Sequence, residues 1–271
     1  MPAINLTRLK IQAVRLSEKF NQPEAFIHDL NELLDFYTNR TIRATQIATR
    51  FSLPTYSTPA PVLRHIQAEL VPLIENHPFE AFVLTDALWE AGSLESRLLA
   101  ASLLGNIPLA QTMTTLENMP DRLAQSTDKE VRTALLTEGF ARLRREDPEA
   151  FLFLLEEWLE SPRNPLRVWG LQALIPMLID PLFENLPTVF RILRPAIRSA
   201  GPGTQLELRD CLAALENVSP IETLAYLRET IRDNPPVLML RTLQRILPGL
   251  PHDLHLGLKE MLRQQAGKGK E

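Results

Sequence analysis

Apolar residues recur along this chain at helical spacing. Between Asp128 and Arg145, Val131, Leu135, Phe140 and Leu143 fall three to five positions apart, and Phe151, Leu154, Leu155, Trp158 and Leu159 make a second stripe. Steps of three and four place side chains on one face of an α-helix, so both segments predict amphipathic helices. The alternation of Val, Ile and Thr that marks strands is nearly missing. Ten glycines and 22 prolines punctuate a chain otherwise rich in Leu, Ala, Glu and Arg, and proline starts or stops helices far more readily than it sits inside them. The pattern predicts many helices separated by proline-marked corners.

The helices repeat. Aligning "LESRLLAASLLGNIP", "KEVRTALLTEGFARL" and "NPLRVWGLQALIPML" on their arginines puts Arg97, Arg132 and Arg167 at two intervals of 35, and two degenerate copies place Arg209 and Arg241 at intervals of 42 and 32. Each copy has an arginine near a helix start, then small or apolar residues, then a corner. This is the layout of a HEAT-like helix pair, whose units cannot bury their apolar faces alone and must stack. The expected fold is all-α, a right-handed superhelix of five to seven HEAT-like helix pairs. The alternative is an irregular helical domain whose arginines coincide by chance.

"SLPTYSTPAP" at 52–61 interrupts the helical pattern with three prolines and several hydroxyl residues. It divides the chain into an N-terminal helical segment (1–51), the Pro-rich connection (52–61), a repeat body (62–263) and a flexible tail (264–271). Charge is uneven along these pieces. Residues 1–60 carry 7 basic and 5 acidic groups, 61–160 carry 8 and 17, and 161–271 carry 14 and 11, so the middle is strongly acidic and the ends mildly basic. With a net charge of −4, a chain basic throughout, as general polyanion binders are, is excluded. The single cysteine, Cys211, rules out an internal disulfide or a cysteine zinc cage and suits a reducing compartment. No run of 18 apolar residues exists, and Arg8, Lys10, Arg15 and Lys19 break up any signal-peptide core in the first 20 residues. These features predict a cytoplasmic protein with no membrane partner.

Residues 54–107 are more specific. Tyr56, Pro59, Leu63 and Arg64, followed by Leu88, Trp89, Gly92, Glu95, Arg97, Leu99 and Ala100, together with "PLRVWGLQALIPML" at 165–178, give the stretch a pattern that resembles the DNA alkylation repair family of HEAT-like DNA glycosylases. The resemblance covers roughly residues 50–180. It implies an α-α solenoid, a DNA partner and, in catalytic members, excision of alkylated bases by a Trp-Asp pair followed by a further Asp. Here the corresponding window, "LAQTMTTLENMPDRLAQSTDKE", has no tryptophan, and Glu117 and Asp121 are its only acids before Asp128. A preorganised charge at a developing cation is typically worth about 2.7–4 kcal/mol of barrier. The expectation is therefore a non-catalytic module that binds DNA weakly. A working glycosylase using Glu117 or Asp121, and a protein–protein scaffold unrelated to DNA, are the alternatives.

Candidate binding residues follow from charge and stacking. Arg163, Arg167, Arg191, Arg194 and Arg198 lie in the basic C-terminal segment, where phosphate contacts could accumulate. Arg97 and Arg132, in the acidic middle, are expected to pair with acids of their own or the next repeat, as Glu95, Glu130, Glu207 and Asp210 would allow. Trp89 and Trp158 sit on apolar stripes and read as core, whereas Trp169, beside Gly170, is open to either core or stacking. His252 and His255 have no third metal ligand nearby and read as surface or capping residues. No phosphate-binding loop, dinucleotide fingerprint or Ser-His-Asp signature is present, so no cofactor and no metal are expected.

Overall fold

The structure, a computed structural model, describes residues 5–38, 51–232 and 234–268. Among these residues every regular element is a helix and none is a strand, and no helix is long and apolar enough to cross a membrane. The chain divides into two compact units, Met1–Asp147 and Pro148–Glu271.

The first unit holds α1 (Leu6–Ser17), α2 (Pro23–Phe36), α3 (Ala60–Asn76), α4 (Pro78–Glu90), α5 (Leu94–Leu104), α6 (Leu109–Glu117), α7 (Met119–Gln125), α8 (Lys129–Ala134), a π-helical turn continuing it (Leu135–Gly139), and α9 (Ala141–Glu146). The residues before and after the Pro-rich connection belong to this same unit. Helices pack on their sequence neighbours and on helices two or three further along: α1 on α3, α3 on α5 and α5 on α8 form one row, and α2 on α4 and α4 on α6 a second.

Helix α5 is the centre of the unit. Leu94, Glu95, Ser96 and every residue from Leu99 to Leu104 are buried, leaving only Arg97 and Leu98 partly exposed. Its sequence, LESRLLAASLL, has no polar face, as expected of a helix covered on all sides. A reciprocal pair of 3.1 Å hydrogen bonds between Ser93 and Ser96 starts it, satisfying two amide groups that would otherwise be orphaned in the interior. At its other end a Cβ on Gly105 would lie 1.8 Å from the Glu138 carbonyl oxygen, so only glycine lets the π-turn approach this closely.

The second unit holds α10 (Pro148–Glu160), α11 (Asn164–Leu178), α12 (Leu186–Arg198), a 3-10 turn (Pro202–Thr204), α13 (Gln205–Val218), α14 (Pro220–Arg232), α15 (Val237–Ile246), a second 3-10 turn (Leu247–Gly249) and α16 (His252–Lys268). Again there are two rows: α10, α12, α14 and α16, and α11, α13 and α15. Residues 264–268, expected to fray, continue α16; the rest of that tail lies outside the described residues, as do 39–50 of the N-terminal segment.

The proline punctuation is only partly as read from the sequence. Pro23, Pro78, Pro148 and Pro220 open helices, where the missing N–H costs nothing. Pro72, Pro176 and Pro195, however, stand inside α3, α11 and α12. Each forfeits one intrahelical hydrogen bond, and packing holds those helices together across the gap.

Candidate functional site

The 35-residue arginines share one local position. Arg97, Arg132 and Arg167 are each the fourth residue of their helices, α5, α8 and α11. Each turns back to the carbonyl end of the helix before it. Arg97 Nε donates to Trp89 O at 3.4 Å near the end of α4, and Arg132 Nη1 donates to Ser126 O at 2.6 Å and Thr127 O at 2.9 Å beyond α7. Arg167 Nη1 donates to Ser161 O at 3.1 Å beyond α10. The last carbonyls of a helix lack intrahelical partners and carry the negative end of its dipole, so a guanidinium satisfies both needs at once.

Of the acidic partners expected for these arginines, Glu95 and Glu207 are bonded elsewhere. Glu95 and Asp128, both buried, hold the Pro-rich connection against the starts of α5 and α8. Glu95 accepts from Thr55 Oγ1 at 2.8 Å, Tyr56 N at 3.2 Å and Thr58 N at 3.3 Å, and Asp128 accepts from Ser52 N at 2.7 Å and Leu53 N at 2.9 Å. The backbone curls round the Glu95 carboxylate with Ser57 at φ +53°, an uncommon angle for a side-chain-bearing residue. Glu207 accepts from Gln172 at 3.3 Å, and of the expected pairs Arg209 meets Asp210, at 2.7 Å.

The basic cluster of the second unit is also engaged. Arg191 on α12 forms a two-pronged pair with Glu156 on α10, Arg194 reaches Glu229 on α14 at 2.9 Å, and Arg198 Nη2 donates to Asn234 O at 3.2 Å. These bonds lace α10, α12 and α14 in sequence. Arg167 Nη2 also donates to Asn164 Oδ1 at 3.3 Å. Of the five arginines proposed for phosphate contacts, Arg163 is exposed and makes no ion pair among the described residues.

Trp89 and Trp158 are buried, as their stripes indicated, and Trp169 is half-buried. The close approach that Gly170 permits is taken by α10: a Cβ there would meet Leu159 Cδ2 at 3.0 Å. Two cations approach the Trp89 ring, Arg97 at 4.7 Å and Arg122 at 5.4 Å, and Arg122 is tied to Asp86 at 2.6 Å. Glu117, at the end of α6, and Asp121, in the first turn of α7, are exposed, and their carboxylates have no hydrogen-bonding partner among the described residues. Neither is held in a water-excluded position where a carboxylate would act on a developing cation. His255 Nδ1 donates to Leu247 O at 2.8 Å, a capping bond, and His252 is exposed.

Comparison with known proteins returned no match to a family model, a curated protein or a solved structure.

Three further features escaped the sequence reading. His28, Asp29 and Glu32 on α2 bring one ligand atom each within 4.8 Å of one another, a spacing legible as an i, i+4 His–Glu pair. His28 and Glu32 are largely exposed, and Asp29 is ion-paired with Lys19, so the protein's own ammonium group already serves this cluster. A cleft of about 350 Å³ beside them is lined by Gln12, Arg15, Asp29, Glu32, Leu33 and Phe36. In the second unit, burial and the nearby Asp210 push the Cys211 thiol up to about 12, and burial raises Tyr226, which stacks on Phe190 at 4.7 Å. A thiol so shifted is a small apolar core residue and not a nucleophile.

Proposed function

We propose that this chain is a non-catalytic interaction module built from HEAT-like helix pairs, of the DNA alkylation repair type, whose partner is another protein. The repeat reading is supported by the two rows of alternate helices within each unit and by the arginine clamp at the fourth residue of α5, α8 and α11. The observation that carries the function is the use made of the arginines. Arg191 and Arg194 are ion-paired with Glu156 and Glu229, and Arg167 and Arg198 commit guanidinium donors to the Ser161 and Asn234 carbonyls, which leaves fewer free charges and donors for a phosphate backbone. A non-catalytic role is supported by the exposure of Glu117 and Asp121.

Weak DNA binding is the second reading, favoured by Arg163, Arg241 and Arg245, which are exposed and unpaired among the described residues. With two or three phosphate contacts, affinity for duplex DNA stays in the non-specific range, roughly 10⁻⁴–10⁻⁶ M. Titration of a labelled 20-base-pair duplex at 50 and 200 mM salt separates the two readings. The protein-binding reading expects at most a weak interaction with a shallow salt slope. A sub-micromolar complex that dissolves steeply with salt overturns it. Release of alkylated purines above the spontaneous rate, abolished by Glu117→Gln or Asp121→Asn, overturns the non-catalytic assignment.

A further inference from the structure

The starts of α11, α13 and α15 form one edge of the second unit. Asn164 Nδ2, at the start of α11, donates to Gly203 O in the 3-10 turn leading into α13 at 3.3 Å. On the other side of that turn, a Cβ on Gly201 would sit 3.5 Å from Leu238 Cδ2 on α15, and Thr242 Oγ1 donates to Ala200 O at 3.3 Å. The three helix starts are therefore contiguous.

This edge shows solvent both apolar and basic side chains. Leu206, Val237 and Leu238 are 62%, 65% and 52% exposed, although water is a poor environment for such side chains. Arg163 and Arg241 flank them, both exposed and without an ion pair among the described residues. Arg241 lies four residues after Val237 and three after Leu238, on the same face of α15. Neither α11 nor α15 contains an acidic residue. In the first two turns of α13, Asp210 is paired with Arg209, and Glu207, which accepts a hydrogen bond from Gln172, is the one acid there without an ion pair among the described residues. The helix starts add partial positive charge in the same sense.

Resting on the protein-binding reading above, we infer that this edge docks an acidic segment of a partner protein that also carries apolar side chains, with leucine-type residues over Leu206, Val237 and Leu238 and carboxylates at Arg163 and Arg241. Two inter-helix spacings of 8–10 Å make the edge roughly 20 Å long, which matches about six extended residues or about 13 helical ones. A phosphate backbone fits less well. Two arginines give a salt slope near −1.8, a change of only about twelvefold between 50 and 200 mM salt, and DNA offers the exposed leucines no matching apolar face.

The test is fluorescence anisotropy on the full chain with three labelled probes: a 14-residue peptide of Leu and Glu in an amphipathic pattern, the same pattern with Lys for Glu, and a 20-base-pair duplex. The Leu/Glu peptide is expected to bind at least tenfold tighter than the other two. The variant Arg163→Glu/Arg241→Glu should weaken that binding at least tenfold, and Leu206→Ser/Leu238→Ser at least fivefold, with unchanged circular dichroism. Because all four side chains are exposed, loss of fold is not the expected cause. Failure of the Leu/Glu peptide to bind, or binding that neither variant changes, overturns the inference and leaves the protein-binding reading to the duplex titration. Duplex binding tighter than the peptide, and lost in the charge-reversed variant, overturns both.

Discussion

Arg97 and Trp89 are joined twice: the guanidinium lies 4.7 Å over the indole ring, and its Nε donates to the Trp89 carbonyl at 3.4 Å. One side chain thereby closes the end of α4 and pins the most buried helix of the unit to it. Arg122, held by Asp86, covers the same ring from 5.4 Å.

Lysine cannot reproduce this arrangement, because an ammonium group lacks the flat surface and the Nε donor. Arg97→Lys is expected to lower the stability of the first unit by about 1–2 kcal/mol, the sum of a cation–π contact and one partly buried hydrogen bond. Arg64→Ala, at an exposed position of α3, should change it by less than about 0.5 kcal/mol. Urea unfolding followed by Trp fluorescence gives both values, and equal midpoints for Arg97→Lys and the parent would refute the clamp.

The Pro-rich connection depends on two carboxylates. Truncating Glu95 leaves three donors at Thr55, Tyr56 and Thr58 unanswered, and an unpaired buried donor costs about 1–3 kcal/mol. Glu95→Ala and Asp128→Ala should each raise the rate of proteolytic cleavage within 52–58 by more than tenfold. An unchanged cleavage rate in both would show that the connection is held by something else.

Cys211 gives a pH-dependent signature. Its folded thiol titrates at about 12, against about 8.5 for an exposed one. Below about pH 8.5 both folded and unfolded chains keep the proton, and this group leaves stability unchanged. Above it the unfolded chain releases the proton first, so stability falls as the pH climbs, by up to about 1.4 kcal/mol per unit. At pH 8.5 a disulfide reagent should leave the native thiol unmodified and label one per chain in urea. Rapid labelling of native protein would contradict the burial.

Helices and their period were legible in the sequence; the partners of the periodic residues were not. Arg97, Arg132 and Arg167 stood out because a charged residue recurring at a fixed step in an apolar context is easily seen. Their partners are backbone carbonyls, which have no letter in the sequence. The lacing pairs were half visible: Glu156 and Arg191, and Arg194 and Glu229, are each separated by the same 35 residues as the arginines, a coincidence that an acid–base search at the repeat period would find. In the sequence Glu95 reads as part of the family-like pattern and as a counter-ion, not as a buried acceptor. Its flanking residues, Leu94 and Ser96 in a helix with no polar face, were the sign that it is buried and needs several donors. Arg163, Arg191, Arg194 and Arg198 looked alike in the sequence, and only the three-dimensional neighbours distinguish the one that is free of ion pairs among the described residues.

Because each helix packs mainly on helices within three of it in the sequence, most contacts in either unit can form early and locally as the chain collapses. The Arg142–Glu75 pair is one exception, and the Pro-rich connection is another. Its bonds to Glu95 and Asp128 close loops of about 40 and 76 residues, and a loop must be closed at an entropic cost before its bonds compensate. Its two acceptors also lie at helix starts that exist only once α5 and α8 have formed. In refolding kinetics, substitutions at Leu99 should slow folding, whereas those at Glu95 and Asp128 should leave the folding rate nearly untouched and speed unfolding. The connection should thus behave as a late-setting latch, whose opening is expected to be the first step by which the native first unit comes apart.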